Sequence, residues 1–165
     1  PHGKAGEIEA SGPSRMKEYF GDKAATAKAL TDDGYVRTGD LGYTTSDTSF
    51  VFLSRMGDVL RLGGFLVNPA EIENPLEAHP LVTAAQVVGV DTETGTRPYA
   101  FVIPAPGVEF ESTQVLAHCA DGMAKFKVPL AITVVEEFPT TASANGVKIQ
   151  RKTLREMAMA ELDGS

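Results

Sequence analysis

Val59-Leu60-Arg61-Leu62-Gly63-Gly64-Phe65-Leu66-Val67-Asn68-Pro69-Ala70-Glu71 is the stretch that decides how this chain is built. Two short apolar runs flank Gly63-Gly64, which predicts a β-hairpin over 59–67 with the glycines at its turn. A helix start follows at once. Asn68 can cap it, Pro69 is preset for the first helical position, and Glu71 can complete a capping box. Pro75 then falls inside the projected helix. It lacks an N–H and presses on the carbonyl of Glu71, so a break or kink is predicted near Asn74.

Outward from this stretch the elements alternate. Residues 82–90 read as an apolar strand and 99–103 as a second, ended by Pro104. Residues 112–121 read as a helix with Val115, Leu116 and Cys119 on one face. Residues 130–135 give a third strand. Residues 152–162 give a closing helix, with Leu154, Met157, Ala158 and Leu162 at helical spacing. The order β-hairpin, α, β, β, α, β, α predicts a small α+β domain, a three-stranded sheet covered by helices. Upstream, 6–10 is a short strand stopped by Ser11-Gly12-Pro13, 22–30 is helical, Asp32-Asp33-Gly34 is a turn, and 48–53 is a strand. This β-rich part, 1–54, has too few apolar residues to stand alone. Its partners are expected on chain outside this sequence. Residues 55–58 form the joint, and 59–165 the small domain.

The 165 residues are 42% apolar and carry a net charge of −7. That charge argues against nucleic acid as a partner, which needs a basic face. One cysteine, Cys119, excludes an internal disulfide framework and makes the cytoplasm the default compartment. On its helix Cys119 reads as a buried thiol rather than a nucleophile. No apolar run approaches the ~20 residues of a transmembrane segment, and no signal peptide is visible. The chain opens on Pro1-His2-Gly3-Lys4 without an initiator methionine, so a longer polypeptide is expected. His2, His79 and His118 lack metal-ligand spacing, and no metal site is assigned.

Several residues can carry chemistry, each beside a plainer reading. Asp40, in Thr38-Gly39-Asp40, is predicted to project from a tight loop, accepting hydrogen bonds from neighbouring hydroxyls or capping the turn. Arg55 can fork onto ribose or phosphate oxygens, or sit in solvent. Gly57 can absorb large φ and ψ changes, with Asp58 beside it. Bare backbone at Gly63-Gly64-Phe65 lets an extended amide ligand pass closely, or simply turns the chain. Lys148, in Asn145-Gly146-Val147-Lys148-Ile149-Gln150-Arg151, is a compact cation predicted on a flexible loop. Lys125, Lys127, Arg151, Lys152 and Arg155 make this end locally basic; they could meet phosphates, but most of them read as solvated.

Three of these stretches, Tyr35-Val36-Arg37-Thr38-Gly39-Asp40-Leu41-Gly42, Ser54-Arg55-Met56-Gly57-Asp58 and the Lys148 segment, occur in one order and at one separation. Together they resemble the closing motifs of the adenylate-forming (AMP-dependent) synthetases and ligases: acyl-CoA synthetases, luciferases and adenylation domains of peptide synthetases. The resemblance runs from Gly6-Glu7-Ile8 to Leu154-Arg155 and is greatest to an acyl-CoA synthetase. It implies a C-terminal lid domain preceded by the end of a large N-terminal adenylation domain. It implies that Asp40 holds the ribose of ATP and that Arg55 contacts the nucleotide, with Ser54 where the family usually has glycine. Gly57 stands at the hinge position, commonly aspartate or lysine, with Asp58 adjacent. Gly63, Gly64 and Phe65 correspond to the segment lining the CoA pantetheine tunnel. Lys148 corresponds to the catalytic lysine of adenylation, with Val147 between it and Gly146. The implied substrates are ATP (leaving AMP), CoA and a carboxylic acid, with Mg²⁺ held by residues outside this chain. Asn68-Pro69-Ala70-Glu71-Ile72-Glu73 resembles the family's Pro-x-Glu-Ile-Glu segment, and its glutamates are given a structural role. A peptide-synthetase adenylation domain is disfavoured because no carrier-protein motif follows Leu162. A non-catalytic binding module with the same fold is the third reading.

Overall fold

The computed structural model describes residues 2–143 and 146–164. The chain divides into two compact units, Pro1–Gly57 and Asp58–Ser165.

Strand pairing, more than burial, builds the first unit. Strand β1 (Gly6–Ala10), helix α1 (Lys23–Ala29), β2 (Val36–Ser46) and β3 (Ser49–Arg55) follow in order. The strands form an antiparallel sheet in the order β1-β2-β3. Asp22 caps α1, its Oδ1 accepting from the Ala25 N–H at 2.8 Å. The loop expected around Asp40 is instead the middle of the 11-residue strand β2. Gly39 and Gly42 mimic turn signals there, but Gly42 has a packing reason. A Cβ on it would lie 2.5 Å from the Val51 carbonyl oxygen and 2.6 Å from Ile8 Cδ1. Glycine therefore lets β1 and β3 close on β2 at this point. Leu41 is buried in this unit, whereas Phe50 and Phe52 are 63% and 54% exposed. The scarcity of core here agrees with the composition.

The second unit has the core. Strands β4 (Leu60–Leu62) and β5 (Phe65–Val67) form the expected hairpin. Helix α2 (Ala70–Glu77) follows. Its capping box closes as anticipated: Asn68 Oδ1 accepts from the Ala70 N–H at 3.1 Å, and Glu71 Oε1 accepts from the Asn68 N–H at 2.9 Å. The break predicted near Asn74 does not occur, and α2 runs through Pro75 to Glu77. Pro75 removes one backbone donor. The fully buried Ile72 and Leu76 and the Ala78 N–H to Asn74 carbonyl bond hold the last turn.

Strands β6 (Val82–Thr92) and β7 (Gly95–Pro104) form a long antiparallel hairpin. Helix α3 (Ser112–Gly122) and a 3₁₀ turn at Lys125–Lys127 lead to β8 (Ile132–Val134), which joins β7 in parallel. This is the predicted three-stranded sheet. Both of its faces are covered. Ala85, Val87, Ala100 and Val102 pack with Leu60, Leu62, Val67, Ile72, Leu76, Val115 and Cys119. Val88, Val90, Tyr99 and Phe101 pack with Leu154 and Ala158 of the closing helix α4, which spans Arg151–Asp163 after a further hairpin. Strand period 2 thus sends alternate residues into two clusters, which is why 82–90 reads as a continuous apolar run.

That further hairpin is β9 (Thr140–Ser143) paired with β10 (Gly146–Ile149), Lys148 lying opposite Thr141. Lys148 is therefore on a strand and not on the flexible loop expected from Gly146. Ala144 and Asn145 lie outside the described residues. Cys119 is buried, and burial pushes its thiol pKa up, away from nucleophile chemistry.

Leu76 tests the core. Leu76→Ala is expected to cost about 2–5 kcal/mol in denaturant unfolding of the second unit, because both α2 and β6 lose its packing.

Candidate functional site

In the first unit, strand register brings together two residues fifteen positions apart. Asp40 on β2 pairs directly with Arg55 on β3. Arg55 Nε lies 3.1 Å from Asp40 Oδ1, and its NH1 donates to the Thr38 carbonyl at 2.9 Å. The backbone beneath is tied as well: the Gly39 N–H donates to Glu7 Oε1 at 3.1 Å, and the Met56 N–H to the Gly39 carbonyl at 2.8 Å. Arg55 spends two of its donors on this frame, and its side chain stays 59% exposed. A carboxylate and a guanidinium side by side on a rigid sheet can hold a polyol diol and a nearby oxyanion at once.

The tract 55–58 crosses from one unit to the next. A Cβ at Gly57 would meet nothing within 4 Å, so packing does not demand glycine there. Asp58 opens the second unit, and its Oδ2 lies 3.7 Å from Arg151 Nε.

At the β4–β5 turn, Gly63 and Gly64 have φ of +57° and +87°, the left-handed region that disfavours side chains. Phe65 follows, 60% exposed, with its ring stacked on Phe126 at 5.0 Å between centroids. Lys127 Nζ sits 2.6 Å from Glu71 Oε2 and 5.9 Å from the Phe126 ring. Burial raises the Glu71 carboxyl, but the Lys127 hydrogen bond, the Asn68 N–H and the Lys127 charge together outweigh it and hold the pKa below its ordinary 4.5. Phe126 carries no sequence signal of a role at this turn. Only the fold brings the 3₁₀ turn against Phe65.

The β9–β10 hairpin carries Lys148. Phe138 before it and Ile149 at its end pack onto the second core cluster. Beyond that root Val147 is 73% exposed, and Lys148 is exposed beside it. Gln150 clamps the root: its N–H donates to the Pro139 carbonyl at 2.8 Å, and its Nε2 donates to the Thr140 carbonyl at 3.0 Å and to Thr141 Oγ1.

Arg151 departs from the sequence reading, which placed it among solvated cations. Its NH1 donates to Glu73 Oε1 and to the Val87 carbonyl, both at 2.9 Å. Glu73 is only 7% exposed and also accepts the Val87 N–H at 2.9 Å. The pair is a half-buried bridge between α2, β6 and α4. Residues 73 and 151 are too far apart in sequence for any spacing rule to join them.

Among the described residues no group of three or more His, Cys, Asp or Glu side chains is arranged to hold a metal ion. No helix among them is long and apolar enough to cross a membrane.

Residues 71–145 match the family model of the AMP-binding enzyme C-terminal domain. This segment is an AMP-binding enzyme C-terminal domain. The chain is 40% identical over 158 residues to a 2-succinylbenzoate–CoA ligase of Geobacillus kaustophilus, covering 95% of this chain and 31% of that protein. It is 38% identical over 149 residues to a feruloyl-CoA synthase of an Amycolatopsis species, covering 90% of this chain and 30% of that protein. The structure of ATP-bound MatB from Rhodopseudomonas palustris superposes with a TM-score of 0.85 at 34% identity, over 95% of this chain and 31% of that one. The chain thus spans about a third of the length of the relatives it matches, and it corresponds to their C-terminal part.

Two substitutions separate turn geometry from open space in this chain. Gly64→Ala is expected to lower stability by about 1–2 kcal/mol from left-handed strain, while Gly57→Ala is expected to stay within about 0.5 kcal/mol; urea unfolding of the two variants reads both. A pH series tests Glu71. Its depressed pKa contributes stability above pH 4.5 that is lost as pH falls through the folded value. The stability gap between wild type and Glu71→Gln is therefore expected to be present at pH 6 and to close towards pH 3.

Proposed function

We propose that this chain is the C-terminal part of an ATP-dependent acyl-CoA synthetase and that it works as a lid on an N-terminal adenylation domain. In the first half-reaction a carboxylate oxygen bonds to the α-phosphorus of ATP. The bond from that phosphorus to the bridging oxygen breaks, giving acyl-AMP and pyrophosphate. In the second, the CoA sulfur, its proton lost to solvent, bonds to the acyl carbon as the bond to AMP breaks.

The exposed Lys148 on a firmly rooted hairpin carries this reading. An ammonium so placed can reach a cleft on another domain and offset the charge that gathers as carboxylate meets α-phosphate. The Asp40–Arg55 pair is assigned to the nucleotide, Asp40 to the ribose hydroxyls and Arg55 to ribose or phosphate oxygens. Gly63, Gly64 and Phe65 are assigned to the pantetheine arm of CoA, whose amides can pair with bare backbone at the turn. Residues 55–58 are assigned as the hinge, Gly57 and Asp58 absorbing the dihedral change between half-reactions. The division of the chain after Gly57 supports that assignment. Residues of the larger domain would hold Mg²⁺ and the carboxylic acid, and the cytoplasm is the proposed compartment.

Lys148→Ala in the full-length ligase tests the division of labour. Adenylation, followed by pyrophosphate exchange, is expected to fall about 10²–10³-fold. Thioester formation from supplied acyl-adenylate is expected to stay close to wild type, and equal loss in both half-reactions would count against the assignment. The isolated chain is expected to form no acyl-AMP.

A further inference from the structure

We propose that Arg151 is a positioning residue for adenylation: it fixes the root of the Lys148 hairpin to Asp58, the first residue of the second unit. The proposal rests on the role given to Lys148 above and extends it to a residue that role does not include.

Arg151 begins α4, three residues after Lys148. Its guanidinium reaches α2, β6 and Asp58. NH1 is fixed at 2.9 Å by both Glu73 Oε1 and the Val87 carbonyl, so α2 and β6 set its place. Nε lies 3.7 Å from Asp58 Oδ2, within ion-pair range. Glu73 cannot relax away, because the same oxygen also accepts the Val87 N–H at 2.9 Å.

Burial separates the two ends of this arrangement. The Glu73 end is nearly closed to water, where losing one partner strands a charge. The Asp58 end is long and open, the kind of ion pair that adds little to stability. A weak contact anchored to a strong one is a poor stabiliser but a good register mark. It links the residue next to the inter-unit crossing to the strand that presents Lys148. The neighbouring Gln150 clamp holds the two hairpin strands to each other and to Thr153, whose Oγ1 donates to Gln150 Oε1 at 2.8 Å. It reaches neither Glu73 nor Asp58, so Arg151 supplies a tie that Gln150 does not.

Arg151→Lys in the full-length ligase is the test. One ammonium lacks the planar fork that serves Glu73, Val87 and Asp58 together. The kcat of adenylation is expected to fall about 10- to 100-fold, the scale of a misplacement near 1 Å. Thioester formation from supplied acyl-adenylate is expected to remain within about twofold of wild type. Asp58→Asn, which breaks only the exposed end, is expected to lower adenylation severalfold with an unchanged melting temperature. Should Arg151→Lys fail to fold, the paired Glu73→Gln, Arg151→Met variant decides, since it removes both charges of the pair at once and strands neither. Both half-reactions falling together in step with lost stability would overturn the proposal, as would adenylation left at the wild-type rate. Lys148→Ala run alongside separates the two failures. If it abolishes adenylation while Arg151→Lys does not touch it, the Arg151 role alone is wrong; if it spares adenylation, the functional reading falls and takes this one with it.

Discussion

The β6–β7 hairpin is buried on both faces, and the rest of the second unit is arranged to make that possible. A sheet of three strands covered only on one side would leave a row of valines and aromatics in water. Here Ala85, Val87, Ala100 and Val102 turn to α2, α3 and the β4–β5 hairpin, while Val88, Val90, Tyr99 and Phe101 turn to α4. At roughly 25 cal/mol per Å² of apolar surface removed from water, each face contributes many kcal/mol before conformational entropy is set against it. Helix α4 is therefore required by the core. Because β10 runs straight into it, the position of Lys148 is a consequence of packing on the far face of the sheet.

A charged group under the sheet is the cost of this layout. Glu73 sits on the face of α2 that also carries Ile72 and Leu76. It is tolerated because the Val87 N–H and the Arg151 guanidinium both meet it. Burial of an unpaired carboxylate would be far more costly than the single bond each partner gives. The polar contact thus crosses from the helix side of the sheet to the start of α4, where purely apolar packing gives no directional tie. The first unit has no comparable core. It holds its shape by antiparallel pairing, and it places Asp40 against Arg55 through register alone.

Much of this was legible in the chain. The capping box at Asn68 and Glu71, the Gly63-Gly64 turn, α1, α3, α4 and the three strands of the main sheet were all readable, because each is written in local spacing or in turn chemistry. Strand β2 was not. Its Gly39, with φ of +71°, and its Gly42, which makes room for Val51 and Ile8 on the neighbouring strands, both look like turn glycines when read locally. Pro75 shows the same limit: a local rule predicts a break, and the burial of Leu76 overrides it. The β9–β10 hairpin was hidden by short polar strands whose pairing adds little period-2 signal.

The sequence by itself determined the order of the main elements of the second unit, the family resemblance and which residues are candidates, since those follow from residue type and spacing along one chain. Tertiary structure alone decided that Asp40 meets Arg55, that Phe126 stacks on Phe65, and that Arg151 bonds Glu73 rather than water. These contacts join residues separated by 15 to 78 positions. No periodicity spans such gaps: strand register sets the first contact, and packing around the two-faced sheet sets the other two.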